Sequence, residues 1–307
     1  MTELQTAPEI EELAPFFPNY KFVSLIAVGG MGAVFRAVQI SLDREVAIKI
    51  LPKKYGDNPE FQRQFEEEAK SMARMNHPNL LGVMDFGSAG GLPFIVMEYV
   101  DGDSLHYAVG LTPLEKVKCC EVMLQVAAGI AYVHDAELLH RDIKPANILM
   151  DSKFTAKLAD FGLAADLKKE LNESVVWGTP GYTAPEVIRG LSGSSRQSDI
   201  YSLGGVFYFM LTADSPETDV NKPHNFAQFD PKFAAILHKC MHASPTGRYA
   251  SVSELVDDLE ELLKFLKSQG QAPVLSAGLS AAGGPNVLRA KPQVCLLYTS
   301  PSPRDRG

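Results

Sequence analysis

The most informative stretch of this chain is residues 140–147, which read His140-Arg141-Asp142-Ile143-Lys144-Pro145-Ala146-Asn147. It places an acid, a lysine and an amide in one short segment, and Asp160-Phe161-Gly162 follows 13 residues after Asn147. Phosphoryl transfer from a nucleotide needs such a set. A carboxylate must accept the hydroxyl proton, a cation must face the moving phosphoryl group, and an amide and a second carboxylate must hold Mg²⁺. Either motif alone is unspecific, but their order and spacing together predict this chemistry.

A glycine-rich segment lies upstream, at residues 27–34, and reads Ala-Val-Gly-Gly-Met-Gly-Ala-Val. Glycines there let backbone amides approach phosphate oxygens without a Cβ in the way, although the same pattern also describes an ordinary turn. Val46-Ala47-Ile48-Lys49 comes next. A lone lysine in an apolar strand often only extends its ammonium group to solvent, whereas one that follows a glycine-rich hairpin indicates a phosphate clamp. The glutamates at 66–68 either form a solvated face or include a partner that orients Lys49.

The chain divides into a β-rich part followed by a helical part. Short apolar β-rich runs predict strands, and apolar residues at helical spacing among charged ones predict helices. The elements predicted in the first part are strands at 20–28, 33–39, 44–51, 80–87 and 93–99, and a helix at 58–75. Those predicted in the second part are helices at 114–136, 198–212 and 251–267. The helix at 198–212 is apolar all round, which is typical of a helix buried in a larger domain.

Together these motifs resemble the protein kinase family over residues 20–266, and most closely the bacterial eukaryotic-like (Hanks-type) serine/threonine kinases, in which Gly-Gly-Met-Gly is a common glycine-loop variant. The family motifs H-R-D-x-x-x-x-N, D-F-G, V-A-I-K and A-P-E stand here at 140–147, 160–162, 46–49 and 184–186. The resemblance implies an α+β, two-lobed kinase fold. A small antiparallel β-sheet lobe with one main helix would span 20–100, and a larger, mainly helical lobe would span 101–266.

The resemblance also implies a role for each catalytic residue. Asp142 is expected to be the catalytic base, Lys144 to steady the γ-phosphoryl group, and Asn147 and Asp160 to hold Mg²⁺, with Mn²⁺ as an alternative. Thr179 is expected to bond both Asp142 and Lys144. Lys144 together with Thr179 is the serine/threonine pattern of the family.

For the nucleotide, the resemblance implies that Lys49 holds the α- and β-phosphates of ATP and is paired with Glu68. Met97 is expected to be the gatekeeper, and Glu98-Tyr99-Val100 the hinge that meets adenine. The remaining residues expected around ATP are Ala27, Val28, Gly29, Gly30, Gly32, Val34 and Ala47. Ala27 stands where the family usually has its first glycine, so its methyl group restricts the backbone there.

Further residues resemble the family's supports and its control point. Asp199 resembles the buried acid that braces the catalytic loop, and Arg248 resembles the partner of Glu186. A buried Arg141 guanidinium is expected to need an anion, which phosphorylation of Ser174 would supply. The alternative is that Glu170 or Glu173 already fills that role. The short polar region 212–233 departs from the family pattern, in which a further helix is common, and this concerns substrate docking.

Three functions are compatible with this fold. The first is an active kinase that phosphorylates Ser or Thr of proteins, including itself, in signalling. The second is an inactive scaffold, but such proteins usually lose the equivalents of Lys49, Asp142 or Asp160, and all three are present. The third is a small-molecule kinase of related fold. Those generally lack the substrate-facing segment seen here at 178–186, so a peptide substrate is favoured.

Composition limits the other possibilities. The net charge of −8 argues against nucleic acid as a partner. There is no run of 18 apolar residues and no signal peptide, so a cytoplasmic protein is expected, with anchoring through a missing C-terminal part left open. The four cysteines form no C-x-x-C pair, which favours reduced thiols. The sequence does not specify an oligomeric state.

Three segments flank the expected kinase domain. Residues 1–19 form an acidic N-terminal extension, and 267–294 form a flexible linker. Residues 295–307 resemble the translated end of a sequencing-library adapter and are expected not to be native. A natural disordered tail is the alternative.

Overall fold

The computed structural model describes residues 7–29, 32–160, 179–222 and 224–270. The chain begins with a short helix, α1 Ile10–Leu13, and a 3₁₀ turn, Ala14–Phe16. A five-stranded antiparallel sheet follows, with strands β1 Tyr20–Gly29, β2 Gly32–Gln39, β3 Arg44–Ile50, β4 Val83–Ala89 and β5 Leu92–Glu98. Their spatial order is β1-β2-β3-β5-β4. The five predicted strands are confirmed, although β4 begins at Val83 rather than at residue 80.

Two helices stand between β3 and β4, α2 Lys53–Gly56 and the longer α3 Pro59–Ala73. Asn58 starts α3, because its side chain accepts hydrogen bonds from the backbone amides of Glu60 (3.0 Å) and Phe61 (3.2 Å). The apolar face of α3 is buried at intervals of three or four residues, the helical spacing that predicted it, at Phe61, Phe65, Ala69 and Met72. The predicted main helix of the small lobe is therefore confirmed.

The second part of the chain is mainly helical. Its helices are α4 Leu105–Val109, α5 Lys116–Asp135, α6 Pro185–Ile188, α7 Arg196–Thr212, α8 Pro231–Cys240 and α9 Val252–Gly270. α5 packs against both α7 and α9, and α7 is buried on nearly every side, as its composition predicted. Among the described helices, α5 is long and apolar enough to cross a membrane by length and composition, but more than half of it is buried in this core.

Three cysteines lie within the same core as free thiols, at Cys119, Cys120 and Cys240. Burial raises the pKa of Cys119 and of Cys120 to about 12, so both stay protonated and unreactive at neutral pH. The prediction of reduced, buried thiols is confirmed for these three.

A second, small sheet connects the helical lobe to the segment at 140–147. It consists of β6 Gly102–Ser104, β7 Ile148–Asp151 and β8 Ala156–Leu158, in that order. The sequence did not predict it, because strands of three or four residues are too short to show an alternating pattern. β7 and β8 form an antiparallel hairpin in which Ile148 pairs with Leu158. Asn147, just before β7, and Asp160, two residues after β8, therefore lie next to each other.

The region 212–233 contains no helix between Thr212 and Pro231 in its described residues, 213–222 and 224–230. It packs instead on the segment that precedes α7. The hydroxyls of Tyr182 and Ser215 lie 3.5 Å apart, and Arg189 donates a hydrogen bond to the carbonyl of Val220 (2.6 Å). The departure from the family pattern thus leaves a loop in contact with residues 182–189.

A buried ion pair joins α6 to Arg248, which comes shortly before α9. Arg248 donates two parallel hydrogen bonds to Glu186, from Nη1 to Oε1 (2.7 Å) and from Nη2 to Oε2 (2.8 Å). The Arg248 side chain is 0% exposed and that of Glu186 8% exposed. Arg248 also donates to the carbonyls of His242 (2.8 Å) and Gln197 (3.0 Å). The expected partnership of Arg248 and Glu186 is present.

Replacing Arg248 should destabilise the fold strongly, because Glu186 would be left as a buried, unpaired carboxylate. We expect Arg248→Ala to lower the free energy of unfolding by about 3–5 kcal/mol, measured by urea denaturation. Arg63→Ala is the matched control: Arg63 also pairs with two carboxylates, at 2.6 and 2.9 Å, but is 56% exposed, so solvent screens the pair and little change is expected. Equal losses in the two variants would contradict the prediction.

Candidate active site

The HRD segment, residues 140–147, is held in place by the carboxylate of Asp199 in the first turn of α7. Its Oδ2 accepts a hydrogen bond from the amide of His140 (3.0 Å), and its Oδ1 accepts one from the amide of Arg141 (3.0 Å). Oδ2 also lies 2.9 Å from Nε2 of His134 on α5. Asp199 is 1% exposed, and a buried charge is tolerated where its oxygens are paired in this way. The carboxylate therefore joins the segment to two core helices.

Two non-glycine residues of the site adopt left-handed backbone conformations, Arg141 (φ 68°) and Asp160 (φ 58°). Such conformations cost energy and persist where the surroundings enforce them. The ring of His140 joins the residues next to them. Its Nε2 donates to the carbonyl of Ala159 (3.1 Å), and its Nδ1 accepts from the amide of Asp142 (3.3 Å). Burial lowers the pKa of His140, which favours the neutral ring that this donor and acceptor arrangement requires.

Asp142 lies at the centre of the HRD segment, and its carboxylate is shared by two side chains. Lys144 Nζ donates to Oδ1 (3.0 Å) and Oδ2 (2.8 Å). Asn147 Nδ2 donates to Oδ2 (2.9 Å) and to the Asp142 carbonyl (2.8 Å). The Asp142 side chain remains 21% exposed, so the carboxylate is oriented by the protein while a substrate hydroxyl still has access to it.

Asp160 lies beside Asn147, because the amide of Ala159 donates to the carbonyl of Asn147 (2.8 Å). Its Oδ1 accepts a hydrogen bond from Lys49 Nζ on β3 (2.7 Å). The two residues are 111 positions apart, so this ion pair connects the two lobes. Desolvation acts to raise the pKa of Asp160, but the attraction of nearby positive charge, from Lys49 first and then Lys144, contributes to a net lowering of the pKa. Asp160 is therefore an ionised carboxylate at neutral pH.

The expected pair between Lys49 and Glu68 is not formed in this conformation. Both residues are described, and the ion pair that Lys49 makes with a described carboxylate is with Asp160. Glu68 is half-buried on α3. The physical reason is distance: the Lys49 ammonium group points to Asp160, and the Glu68 carboxylate is not within ion-pair distance of it.

Two other expectations also differ from the structure. Arg141 is exposed rather than buried, and its backbone amide is the donor to Asp199. The desolvation argument for a phosphate near Arg141 therefore does not apply. The hydroxyl of Thr179 makes no hydrogen bond to Asp142 or Lys144 among the described residues. The Thr179 carbonyl accepts instead from the amides of Tyr182 and Thr183, both at 3.1 Å.

The residues expected to cover ATP share one face of the small sheet. Ala27 pairs with Val34 across β1 and β2, and Val34 pairs with Lys49 across β2 and β3. Cross-strand partners lie on the same face, so these three side chains stand in one row. Ala47, two positions from Lys49, is on the same face, and its partner on β5 is Met97. The sheet therefore brings the predicted adenine-facing residues next to the lysine.

Gly32 begins β2 with φ +118°, and a side chain there would collide with the backbone of Ile50. Glycine at this position is thus required by the backbone itself, independently of any phosphate. Gly29, its partner at the end of β1, and Val28 complete the described part of the glycine-rich segment.

Glu98 and Val100, expected at the hinge, leave the end of β5 and are half-buried. The amide of Glu98 donates to the carbonyl of Gly82 (2.9 Å), and its carboxylate accepts from Lys157 Nζ (2.9 Å). The sequence did not point to Lys157. Its position between buried Ala156 and Leu158 predicts an outward side chain on β8, but not a partner 59 residues away.

The remaining expectations lie outside the described residues. They concern Gly30, the motif residues Phe161 and Gly162, and Ser174 with its alternatives Glu170 and Glu173.

Known proteins match this chain in sequence. The sequence model of the protein kinase domain matches residues 20–269. Serine/threonine-protein kinase PknB of Mycobacterium leprae is 33% identical over 298 residues, covering 87% of this chain and 48% of that protein. Serine/threonine-protein kinase PrkC of Bacillus subtilis is 40% identical over 201 residues, covering 64% of this chain and 31% of that protein. The chain thus spans about half the length, or less, of these relatives.

Solved structures show the same architecture. The crystal structure of the Mycobacterium tuberculosis PknI kinase domain superposes with a TM-score of 0.66 at 27% identity, covering 79% of this chain and 96% of that one. The apo form of PpkA-294 superposes with a TM-score of 0.69 at 22% identity, covering 78% and 96%, and this second likeness concerns the fold alone. The two-lobed fold expected from the sequence is confirmed, and the chain belongs to the protein kinase family.

Proposed function

We propose that this chain is an ATP-dependent protein serine/threonine kinase domain, which transfers the γ-phosphoryl group of ATP to Ser or Thr hydroxyls of proteins, including itself. The observation that carries the proposal is the set of contacts around Asp142. Lys144 and Asn147 both donate to this carboxylate, and Asp160 with its Lys49 partner stands next to Asn147. No residue of the set that phosphoryl transfer requires is replaced.

Each side chain has a distinct part in the reaction. Asp142 accepts the proton of the attacking hydroxyl, while the new bond forms between that oxygen and the γ-phosphorus and the bond to the ADP oxygen breaks. Lys144, within 3.0 Å of Asp142, brings a positive charge to the place where the phosphoryl group moves. Lys49, whose ammonium group pairs with Asp160, is the cation for the α- and β-phosphates.

The residues also fit a divalent cation. Asn147 uses its amide nitrogen to hold Asp142, so its amide oxygen is the atom left to coordinate a metal. Asp160 supplies an ionised carboxylate, 41% exposed. Oxygen donors of this kind suit Mg²⁺, which keeps several waters and substrate oxygens as further ligands; Mn²⁺ takes the same donors. A bound Mg²⁺ would neutralise charge on the phosphates.

For the nucleotide, we propose that Val34, Ala47 and Met97 contact adenine and that the backbone of Glu98 and Val100 reads its edge. Ala27, Val28, Gly29, Gly30 and Gly32 would cover the phosphates. Glu68 is proposed as the second partner of Lys49 when the Asp160 carboxylate coordinates the metal of a bound nucleotide. Support comes from their common face on the small sheet and from the register that places Val34 beside Lys49.

Two other functions fit less well. An inactive scaffold has no need for the oriented Asp142 carboxylate or the Lys49–Asp160 pair. A small-molecule kinase has no need for residues 179–186, which are fixed here by the Glu186–Arg248 pair and by Ser202, whose hydroxyl donates to the carbonyl of Tyr182 (2.7 Å). We therefore favour protein substrates. A cytoplasmic location and the absence of nucleic-acid partners stay predictions, as do the boundaries of the domain and its flanking segments.

Loss of the base is the direct test of the reaction. With radiolabelled ATP, Mg²⁺ and a generic protein substrate, we expect phosphoserine and phosphothreonine in the products of the wild type. Asp142→Asn keeps the shape but cannot accept a proton, so kcat should fall by about 10²–10⁴. Asp103→Asn, an exposed aspartate on β6, is the control and should act like wild type. Mainly phosphotyrosine, or a fall of only a few fold in Asp142→Asn, would refute the assignment.

The Lys49–Asp160 pair should be needed for transfer and not for folding. We expect Lys49→Ala and Asp160→Ala each to abolish detectable phosphate transfer while circular dichroism shows an unchanged fold. Lys70→Ala, which removes an exposed lysine from α3 (56% exposed), controls for loss of charge. Near-full activity of Asp160→Ala in Mg²⁺ would show that the metal is held elsewhere.

Regulation through phosphorylation of Ser174 stays a prediction. Its support is the attraction between a phosphate and the positive charge of Arg141. A phosphate there would add about −1.5 to −2 charges, which the exposed guanidinium of Arg141 could bind. We expect Ser174→Ala to lower kcat and to remove one phosphate from the autophosphorylated protein, as measured by mass spectrometry. Ser174→Ala acting at the wild-type rate, with no phosphate mapped to Ser174, would favour Glu170 or Glu173 instead.

A further inference from the structure

The small sheet has a second face, opposite the one that carries Lys49. On β2, Ala33, Phe35 and Ala37 are buried, while Val34 between them belongs to the nucleotide face. On β3, Val46, Ile48 and Ile50 are buried on this second face. These side chains form an apolar cluster separate from the main core. A kinase lobe that exposed such a face would be unstable, so something must cover it.

The cover is the segment before the sheet. Leu13 at the end of α1 is 1% exposed and Phe17 is 3% exposed, and both belong to this cluster. The ring of Phe17 meets Phe22 edge-on at 5.3 Å between centroids, and Phe94 at 4.9 Å. Phe22 in turn meets Phe35 at 5.5 Å. Aromatic packing therefore runs from the N-terminal segment through β1 into β2.

Backbone hydrogen bonds fix the same segment to the sheet. The amide of Tyr20 donates to the carbonyl of Phe17 (3.0 Å), and the amide of Ile40, just after β2, donates to the carbonyl of Asn19 (2.9 Å). At its other end the segment reaches the glycine-rich turn. Ala7 and Pro8 line a cavity of about 230 Å³ together with Gly29, Gly32 and Ala33. The segment thus covers the back of the sheet at Phe22 and Phe94 and reaches the glycines.

We propose that residues 7–19 form an N-terminal cap that positions β1 and β2 for nucleotide binding, with Phe17 and Leu13 as its positioning residues. This segment lies before residue 20, where the kinase domain match begins. The proposal rests on the proposed function, since it concerns affinity for ATP.

The physical link runs through Phe22 and the pleat of β2. The ring of Phe22 contacts both Phe17 and Phe35, so a shift of Phe22 into space left by Phe17 moves Phe35. Phe35 and Val34 are neighbours on opposite faces of β2, so movement of Phe35 displaces Val34 on the nucleotide face. The interior is close-packed, so such space is not filled without movement of its neighbours. The cavity beside Gly29 and Gly32 gives this part of the sheet room to move.

The test compares adjacent phenylalanines. Phe17→Ala removes the buried ring, whereas Phe16→Ala removes a ring that is 51% exposed. Phe17→Leu keeps most of the apolar volume and serves as the rescue variant. Binding of a non-hydrolysable ATP analogue with Mg²⁺ is measured by calorimetry in the full chain, at a temperature where thermal denaturation shows every variant folded. KM for ATP, KM for a peptide substrate and kcat are then determined.

We expect Phe17→Ala to bind the analogue about tenfold more weakly, as when only about one tenth of molecules hold the competent sheet. KM for ATP should rise with it, while KM for peptide and kcat stay constant, a split that general destabilisation would not produce. Phe16→Ala and Phe17→Leu should stay within about twofold of wild type. If Phe17→Ala does not fold, Leu13→Ala removes cover from the same face and should weaken binding in the same direction.

The outcomes separate the two hypotheses. A wild type that binds no nucleotide would overturn the proposed function, and the role of the cap with it. Normal binding by wild type, with Phe17→Ala equal to Phe16→Ala, would overturn the cap alone. A parallel loss of nucleotide affinity, peptide affinity and kcat in Phe17→Ala would show a purely structural role and would likewise overturn it.

Discussion

The buried carboxylate of Asp199 is the constraint on which the site depends. It sits in a helix that is apolar on nearly every side, where an unpaired charge would cost several kcal/mol. Its hydrogen-bonding needs are met by the backbone amides of His140 and Arg141 and by the ring of His134. The stability of the core and the conformation of the HRD segment are therefore coupled, because neither the charge nor the left-handed turn at Arg141 is tolerable without the other.

The small lobe is organised by a different constraint, the two faces of one sheet. Alternation along β2 assigns Val34 to the cleft and Phe35 to the back, so nucleotide binding and apolar packing use adjacent residues of the same strand. Lys49 is buried in the central strand and forms an ion pair with Asp160 from the other lobe. The pair lowers the cost of burying that ammonium group, and at the same time it holds the lobes in contact.

Much of this was predictable from sequence because the signals are local. Periodicity located the five strands of the main sheet and the long helices, and the spacing of Asp142, Asn147 and Asp160 identified the chemistry. The features that were not predicted are contacts between residues far apart in the sequence. Spacing does not say whether Lys49 turns to Glu68 or to Asp160. The outward position of Lys157 does not identify Glu98 as its partner. Leu13 and Phe17 lie in a short, acidic, proline-containing stretch, and only the sheet behind them reveals that Phe17 is buried while its neighbour Phe16 is exposed.

The site is built from two kinds of contact: short-range ones through the β7–β8 hairpin, and a long-range one to Lys49. Asn147 comes just before this hairpin, which runs from Ile148 to Leu158, and Asp160 comes two residues after it. Their relative position therefore follows from contacts of short sequence separation. The contact between Lys49 and Asp160 spans 111 residues and requires both lobes to be in place. Contacts of low order form quickly and survive partial unfolding more readily than distant ones. In folding, the proposed metal ligands can therefore be assembled before the lysine arrives, and in the native protein local opening of the small lobe would remove the phosphate-binding cation while leaving the metal ligands together.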